Sequence, residues 1–557
     1  MDRISKDACL MLCDLLALYG VRKAVLSPGS RNAPLIIAME RSGDFDTHIV
    51  IDEREAAFAA LGMSVASQQP VALVCTSGSA LLNYAPAVAE ACYRRTPLIV
   101  ISADRPAEWI DQDDSQTIRQ PDALANFVRA SVDVSESTYA GPDGPWWLNR
   151  RLNDVLSAAT GRIKGPVHIN MQLAEPLTAM TDESTPRVRG TKIDLALPVG
   201  DGLPHKLADT YRRSPKVLAI IGFMDPDPQF GEYVNRLADT GCVVLKEAQS
   251  NIDGWSEFVS GTIDATLREI RGCEDEYVPD LVITMGGALL SRHIKAFLRR
   301  HAGRTTIWSV GHHDHAVDCF RGLDTRVEMD PREFVKAVLA LDSQKPLSYA
   351  QAWRKASDAS RRTAAFASAA PWSDFKAVYE LIEASPRLHL QVSNGTAIRY
   401  VQFFSGYERF ASVHCNRGVS GIDGCTSTAV GFSAVRKRPT LFLSGDMSAA
   451  YDIGALALPM ITPRFKMAVL NNGGGGIFRF IPSTRNLPEL ERCFAASPRL
   501  PLADLARAYG FRYFEAADEK TFKDLLPDFF AESERPALLN IITPADISAQ
   551  ILTEYFQ

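Results

Sequence analysis

Short, wholly apolar runs alternate along this chain with longer stretches in which apolar residues recur every three or four positions. Most changes of period fall on loops rich in Gly, Ser, Asn or Pro. Apolar runs of four to six residues read as strands buried on both faces, and the 3.6-residue pattern as helices packed on them. In the first third, Lys23–Leu26, His48–Asp52, Val71–Cys75 and Leu98–Ser102 are expected strands. The loop SPGSRN (Ser27–Asn32) leads into a helix from Ala33, and Arg54–Ala66 reads as a helix of small residues. The loop TSGS (Thr76–Ser79) opens a further helix that runs to about Tyr93. Such strand–loop–helix repetition predicts a parallel sheet covered by helices on both faces.

The pattern breaks at Thr178–Pro204, a polar, Pro-containing stretch that reads as a linker. It resumes with expected strands near Val217–Gly222, Gly241–Lys246, Leu281–Met285 and Thr306–Val310. A second junction lies near Ser343–Ser360, and then come Leu388–Val392, Phe410–Cys415, Pro439–Ser444, Lys466–Leu470 and Ala537–Ile542. The expected fold is therefore α/β, with three doubly wound parallel-sheet domains over residues 1–180, 200–342 and 360–557.

Length agrees, since 557 residues at roughly 150 per domain allow three or four domains. Sixty basic residues against 66 acidic ones leave a net charge of −6 with no long basic run. No nucleic-acid partner or anionic membrane surface is expected. The longest apolar runs fall well short of the roughly 18 residues a membrane span needs. The N-terminal MDRISKDACLMLCDLLALYG carries acids within its apolar stretch and reads as an amphipathic helix, not a signal peptide. Ten scattered cysteines without a CxxC pair suit reduced thiols, so a cytoplasmic location is expected.

The most informative segment is Ser444–Phe478, SGDMSAAYDIGALALPMITPRFKMAVLNNGGGGIF. One apolar strand delivers Gly445-Asp446 to its carboxyl end, and the next delivers Asn471-Asn472 and four glycines to the same edge. From 446 to 472 is 26 positions, enough for one helical crossover between neighbouring strands. Alone, Gly-Asp and Asn-Gly are ordinary turn dipeptides. Together they offer a carboxylate and an amide oxygen to a hard divalent cation, with a backbone carbonyl freed by the glycines as a third donor. The glycines also let the backbone approach phosphates closely. The pattern resembles the GD…NN signature of thiamine-diphosphate enzymes, with Gly473 where many members carry a polar residue. That resemblance calls for an acid on a different domain, and Glu53 in VIDEREAAFAALG is the candidate.

Further motifs occur in order: LSPGSRNAPL (Leu26–Leu35), DERE (Asp52–Glu55), TSGSALLNYAPAVAEA (Thr76–Ala91), ADRPAE (Ala103–Glu108), SQTIRQ (Ser115–Gln120) and NRGVSGIDG (Asn416–Gly424). With them the chain resembles the 2-succinyl-5-enolpyruvyl-6-hydroxy-3-cyclohexene-1-carboxylate (SEPHCHC) synthases of menaquinone biosynthesis, densely in both outer blocks and sparsely in the middle. The resemblance implies decarboxylation of 2-oxoglutarate and 1,4-addition of the succinyl carbanion equivalent to isochorismate. An acetolactate-synthase-like decarboxylase or carboligase is the rival reading. Thiamine diphosphate and Mg²⁺ or Mn²⁺ are the implied cofactors, and a homodimer or homotetramer with active sites at the subunit interface is the implied assembly.

Residue by residue, the resemblance assigns the metal to Asp446, Asn472 and Gly474, and further cofactor contacts to Glu53, Thr76, Gly78, Met447, Ser448, Ile477 and Phe478. Both substrates carry two carboxylates, so arginines able to grip them in pairs are required. Arg31, Arg105 and Gln116 are implied to face isochorismate and to join Glu53 in catalysis, with Ser30 a further substrate contact. Arg292 is implied as a middle-block contact to isochorismate, while Arg399 and Arg417 would meet the carboxylate of 2-oxoglutarate. Two departures are noted: Arg292-His293 where a Lys-Arg-like pair is usual, and Gly395 where a serine is common. The crowded histidines of GHHDHAVDC (Gly311–Cys319) have no second ligand cluster elsewhere and read as a polar loop.

Overall fold

The computed structural model describes residues 3–182, 188–190, 202–358, 360–404 and 408–556. Of the stretch 178–204 read as a linker, residues 183–187 and 191–201 lie outside the described residues. Three parallel six-stranded sheets with flanking helices make up the α/β architecture. The first has the spatial order Asp46–Ile49, Lys23–Leu26, Val71–Cys75, Leu98–Asp104, Val167–Gln172, Ser131–Val134. The second runs Val259–Ser260, Val243–Lys246, Val217–Ile221, Leu281–Met285, Thr306–Val310, Leu323–Val327. The third runs Ser412–Cys415, His389–Val392, Thr440–Gly445, Phe465–Asn471, Ala537–Ile542, Arg512–Ala516.

Counted within each sheet, the outer two share the order 2-1-3-4-6-5, whereas the middle one is 3-2-1-4-5-6. The shared order creates a switch point in each outer sheet, between its first and third strands. Open parallel sheets bind ligands at the carboxyl ends of the strands flanking such a point. In the first sheet those ends lead into Ser27–Asn32 and Thr76–Ser79. In the third they lead into Ser393–Thr396 and Asp446.

The two outer sheets are joined through helices. Glu53–Ser67 is buried at every position from Glu55 to Ala66, as a helix apolar all round must be. It crosses Cys425–Val435 so closely that a Cβ on Gly62 would stand 2.0 Å from the Thr428 carbonyl oxygen. A Cβ on Gly431 would stand 2.0 Å from that of Ala59. One apolar core therefore runs from Leu73 and Val100 of the first sheet to Phe442 and Val469 of the third.

Several boundaries differ from expectation. The second strand is Asp46–Ile49 rather than His48–Asp52, so Glu53 is the first residue of its helix, with Asp52 capping it through a bond from the Glu55 N–H. The helix after Thr76–Ser79 is broken into Ser79–Asn83 and Ala85–Arg94 at Ala85-Pro86. Strands Ser131–Val134 and Val167–Gln172 escape the apolar-run criterion because they bury polar side chains. His168 meets the Ser102 hydroxyl at 2.8 Å, Asn170 donates to Asp104 and Asp133, and Gln172 donates to Asp133. All ten cysteines are free; six are buried, Cys273 and Cys493 are exposed. Among the described residues no helix is long and apolar enough to cross a membrane.

Candidate active site

At the carboxyl edge of the first sheet, three loops converge. Gly29 lies over Thr76, leaving no room for a side chain: an added Cβ would stand 2.3 Å from the Thr76 Cβ. Thr76 is buried, and among the described residues its hydroxyl has no partner. Gly78, at φ +85°, faces the Gln116 side chain, and its N–H is taken by Gln120 at 2.7 Å. Gln116 itself adopts a left-handed backbone (φ 60°) and donates to the Ser77 carbonyl at 3.3 Å. Arg31 is buried, donates to the Leu173 carbonyl at 2.9 Å and lies 3.3 Å from Glu175. Arg105 pairs with Asp114 at 2.7 Å, while its Nε is buried without a partner. Burial, then the neighbouring Arg105, lowers the pKa of Arg31. Ser30 is exposed on the same loop. Two guanidiniums close enough to perturb one another thus share this sheet edge, and a guanidinium fork can pair with a carboxylate.

Glu53 occupies the first turn of its helix, half-buried. Its charge acts on Cys75 and Tyr84, both buried and both held protonated mainly by burial. The next residue, Arg54, donates to the Tyr451 carbonyl at 3.3 Å and approaches Asp452 at 3.6 Å. Within one chain, then, the Glu53 helix docks on the far end of the helix Asp446–Tyr451. Among the described residues no hydrogen bond or ion pair joins Glu53 to Asp446 or Asn472.

The third sheet assembles an oxygen-rich corner. Asp446 is buried at the end of Thr440–Gly445, and its carboxylate accepts the N–H groups of Gly474 and Met447, each at 2.7 Å. Burial raises its pKa to about 6 against those bonds. Gly474 (φ +120°) packs its backbone on Ala495, where a Cβ would stand 2.2 Å from the carbonyl oxygen. Its own carbonyl accepts the Gly476 N–H at 2.8 Å and keeps a second lone pair. Asn472 is buried, and among the described residues its amide oxygen has no hydrogen-bond partner. An orphaned amide oxygen costs on the order of 1–3 kcal/mol, and this one follows the strand paired with the strand that leads into Asp446, which marks it for a ligand. Asp446, Asn472 and the Gly474 carbonyl are all hard oxygen donors, and they fit a divalent cation bound with a diphosphate. Ser448 donates to the Ile422 carbonyl at 3.0 Å. Ile477 and Phe478 lie half-buried on the helix Gly476–Phe480, with Phe478 5.9 Å from Phe494.

The remaining arginines form a second cationic group. Arg399 sits in the helix Ala397–Phe403, and its pKa is lowered by burial and then by Arg292 and Arg417. Arg292 therefore joins Arg399 and Arg417. It begins the helix Arg292–His301, which Glu247 positions by accepting the N–H groups of Leu290 and Ser291 at 2.8 Å. His293 faces away, stacked on Phe556 at 5.1 Å and 3.1 Å from Asp264. Two half-buried cations, Arg399 and Arg417, with the exposed Arg292 beside them, can attract an anion.

Sequence reasoning missed the residues that hold these cations in place. Asn394 accepts from Arg417 at 3.0 Å and ties down the carbonyls of Asn416 and Gly421. It stands beside Gly395 in the loop that precedes the helix Ala397–Phe403. Lys295, inside the ALLSRHIK segment, donates to the Leu289 carbonyl at 2.6 Å, and its charge reaches Arg417 and Glu247. In the histidine loop, His313 meets Arg95, His312 accepts from Arg162 at 3.1 Å, and Asp314 pairs with Arg129 at 2.6 Å. That loop bridges the first and middle blocks.

Residues 8–125 match the family described as thiamine pyrophosphate enzyme, N-terminal TPP binding domain. Over its whole length the chain is 40% identical to the 2-succinyl-5-enolpyruvyl-6-hydroxy-3-cyclohexene-1-carboxylate synthase of Porphyromonas gingivalis, covering 97% of that protein. It is 37% identical to the synthase of the same name from Flavobacterium psychrophilum, over 97% of this chain and 96% of the relative. The Bacteroides fragilis synthase is 35% identical over 99% of this chain and 98% of its own length.

Proposed function

Because the chain belongs to the 2-succinyl-5-enolpyruvyl-6-hydroxy-3-cyclohexene-1-carboxylate synthase family, we propose that it decarboxylates 2-oxoglutarate and adds the succinyl unit to isochorismate in a 1,4-addition. CO₂ leaves, and the product enters menaquinone biosynthesis. Asp446, Asn472 and the Gly474 carbonyl would hold Mg²⁺ or Mn²⁺ against the diphosphate of thiamine diphosphate. When bound, that cofactor would supply an electron sink for the electron pair left behind when the bond to the departing carboxylate carbon breaks.

The protein's own groups supply the rest. Glu53 holds and returns a proton at the cofactor's pyrimidine. Thr76 and Gly78 line the pyrimidine side; Met447, Ser448, Ile477 and Phe478 line the diphosphate and thiazolium side. Arg399 and Arg417 grip the distal carboxylate of 2-oxoglutarate. Ser30, Arg31, Arg105, Gln116 and Arg292 orient isochorismate, so that the addition proceeds within a fixed geometry.

Glu53 and the Asp446–Asn472 corner belong to one site when a second copy brings its third sheet to the first sheet of its partner. Ile51, two residues before Glu53, is 81% exposed, and Tyr451 and Val419 are also exposed. Such apolar side chains around a catalytic edge suit burial against another copy. A homodimer is therefore the proposed minimum unit, working in the cytoplasm.

The observation that carries this reading is the Asn472 amide oxygen, unpartnered among the described residues, just past the strand that pairs with the one ending at Asp446. It is tested by incubating purified protein with thiamine diphosphate, Mg²⁺, isochorismate and either 2-oxoglutarate or pyruvate. CO₂ is measured and the product identified by mass spectrometry. The expected result is SEPHCHC from 2-oxoglutarate alone. Preferential turnover of pyruvate would overturn the reading in favour of an acetolactate-synthase-like enzyme.

A further inference from the structure

Behind the cation corner lies an acid that no motif announces. Asp374 is the first residue of the helix Asp374–Ala384, 98 positions before Asn472 in the chain and fully buried. Its Oδ2 accepts the Asn472 Nδ2–H at 2.6 Å. Its Oδ1 accepts the Thr543 hydroxyl at 2.5 Å. The Asp374 backbone N–H donates to Ser548 at 3.0 Å, which fixes the acid at the helix start. A carboxylate at that position is also favoured by the helix dipole.

An asparagine amide has two ends of nearly equal size, one donating and one accepting. Only the accepting end can ligate a cation. A carboxylate on one side of the amide can take only the N–H₂ end, and this leaves the oxygen on the opposite side, buried and unpartnered. The backbone there is held by a different group: Arg479 donates to the carbonyls of Asn472 and Gly473 at 3.4 and 3.0 Å and is itself anchored on Glu491. Asp374 thus governs the side chain while Arg479 governs the main chain.

We infer that Asp374 is the positioning residue of the cation site: by binding the amide N–H of Asn472, with Thr543 holding its other oxygen, it turns the amide oxygen toward the metal. The inference rests on the proposed cation site. Carboxylates behind a ligating side chain commonly change metal affinity by about 10–100-fold when removed.

The test is a Mn²⁺ titration of the full-length protein with thiamine diphosphate, followed by electron paramagnetic resonance, on wild type and on Asp374→Ala, Asn472→Ala and the double variant. Circular dichroism melts confirm folding. Asp374→Ala is expected to raise the Mn²⁺ Kd about tenfold or more, and to add nothing once Asn472 is already alanine. Thr543→Val, which keeps the acid but removes its second donor, is expected to raise the Kd by less. If Asp374→Ala does not fold, Asp374→Asn and Thr543→Val decide: unchanged Kd in both overturns the inference. Wild-type affinity in folded Asp374→Ala, or equal losses with and without Asn472, would also overturn it. Failure of the underlying cation site would look different, because Asn472→Ala would then bind Mn²⁺ as wild type does.

Discussion

The Glu90 carboxylate, on a helix of the first block, accepts the backbone N–H groups of Gly418 and Val419 at 2.7 and 2.6 Å, across more than 300 residues of sequence. Glu90 is 2% exposed, and the segment it grips follows Arg417. Arg94, one turn along the same helix, donates to the Cys415 carbonyl at 3.1 Å. The first block therefore sets the position of the segment that carries Arg417 in the third.

Replacing Glu90 by Gln turns one acceptor into a donor facing a backbone N–H. A buried mismatch of this kind costs about 1–3 kcal/mol. The expected outcome is a lower melting temperature and a KM for 2-oxoglutarate raised about tenfold, corresponding to about 1.4 kcal/mol. The affinity for thiamine diphosphate should not change. Steady-state kinetics and cofactor titration calorimetry check both halves.

Glu53→Gln keeps the shape and the helix start but removes the proton-transfer group. Turnover should fall by about 10²–10⁴, with cofactor affinity within a few-fold of wild type by calorimetry. Turnover near the wild-type rate would remove Glu53 from its assigned role.

The crossing of Glu53–Ser67 with Cys425–Val435 has no room at its contact. Gly431→Val should destabilise by roughly 1–3 kcal/mol or more through overpacking. Gly303→Ala, where a Cβ meets nothing within 4 Å, should change stability little. Urea midpoints of the two variants make the comparison.

Glu55 is buried beside Gly454, and burial, aided by Asp52, raises its carboxyl pKa to about 7. Its protonated form is thus favoured by folding. This contribution is fully present below the ordinary glutamate pKa and is lost as pH rises through about 7. Glu55→Gln, neutral at every pH, should raise the melting temperature at pH 8 by roughly 2–4 °C and leave it nearly unchanged at pH 4.5. An equal shift at both pH values would show that the charge is not the cause.

Much of this was legible in the chain itself. Val71–Cys75 was readable to the residue because a strand buried on both faces reads as a continuous apolar run, and Leu281–Met285 and Ala537–Ile542 were readable because each interrupts such a run only once, at Thr284 and Asn540. The Asp446-to-Asn472 spacing was readable because one crossover fixes how far apart two strand ends can lie. Val167–Gln172 was not, since its buried His, Asn and Gln are tolerable only with partners that come from Ser102, Asp104 and Asp133. The same holds for Asp374, Glu90 and Asn394. What each does depends on a hydrogen bond to a residue tens to hundreds of positions away, and such a bond has a direction and a length but no period. Local sequence thus determined the strands, the loops and the chemistry at their ends. Tertiary packing, within the third block and between it and the other two, decided which acid steers which amide and which arginines share one space.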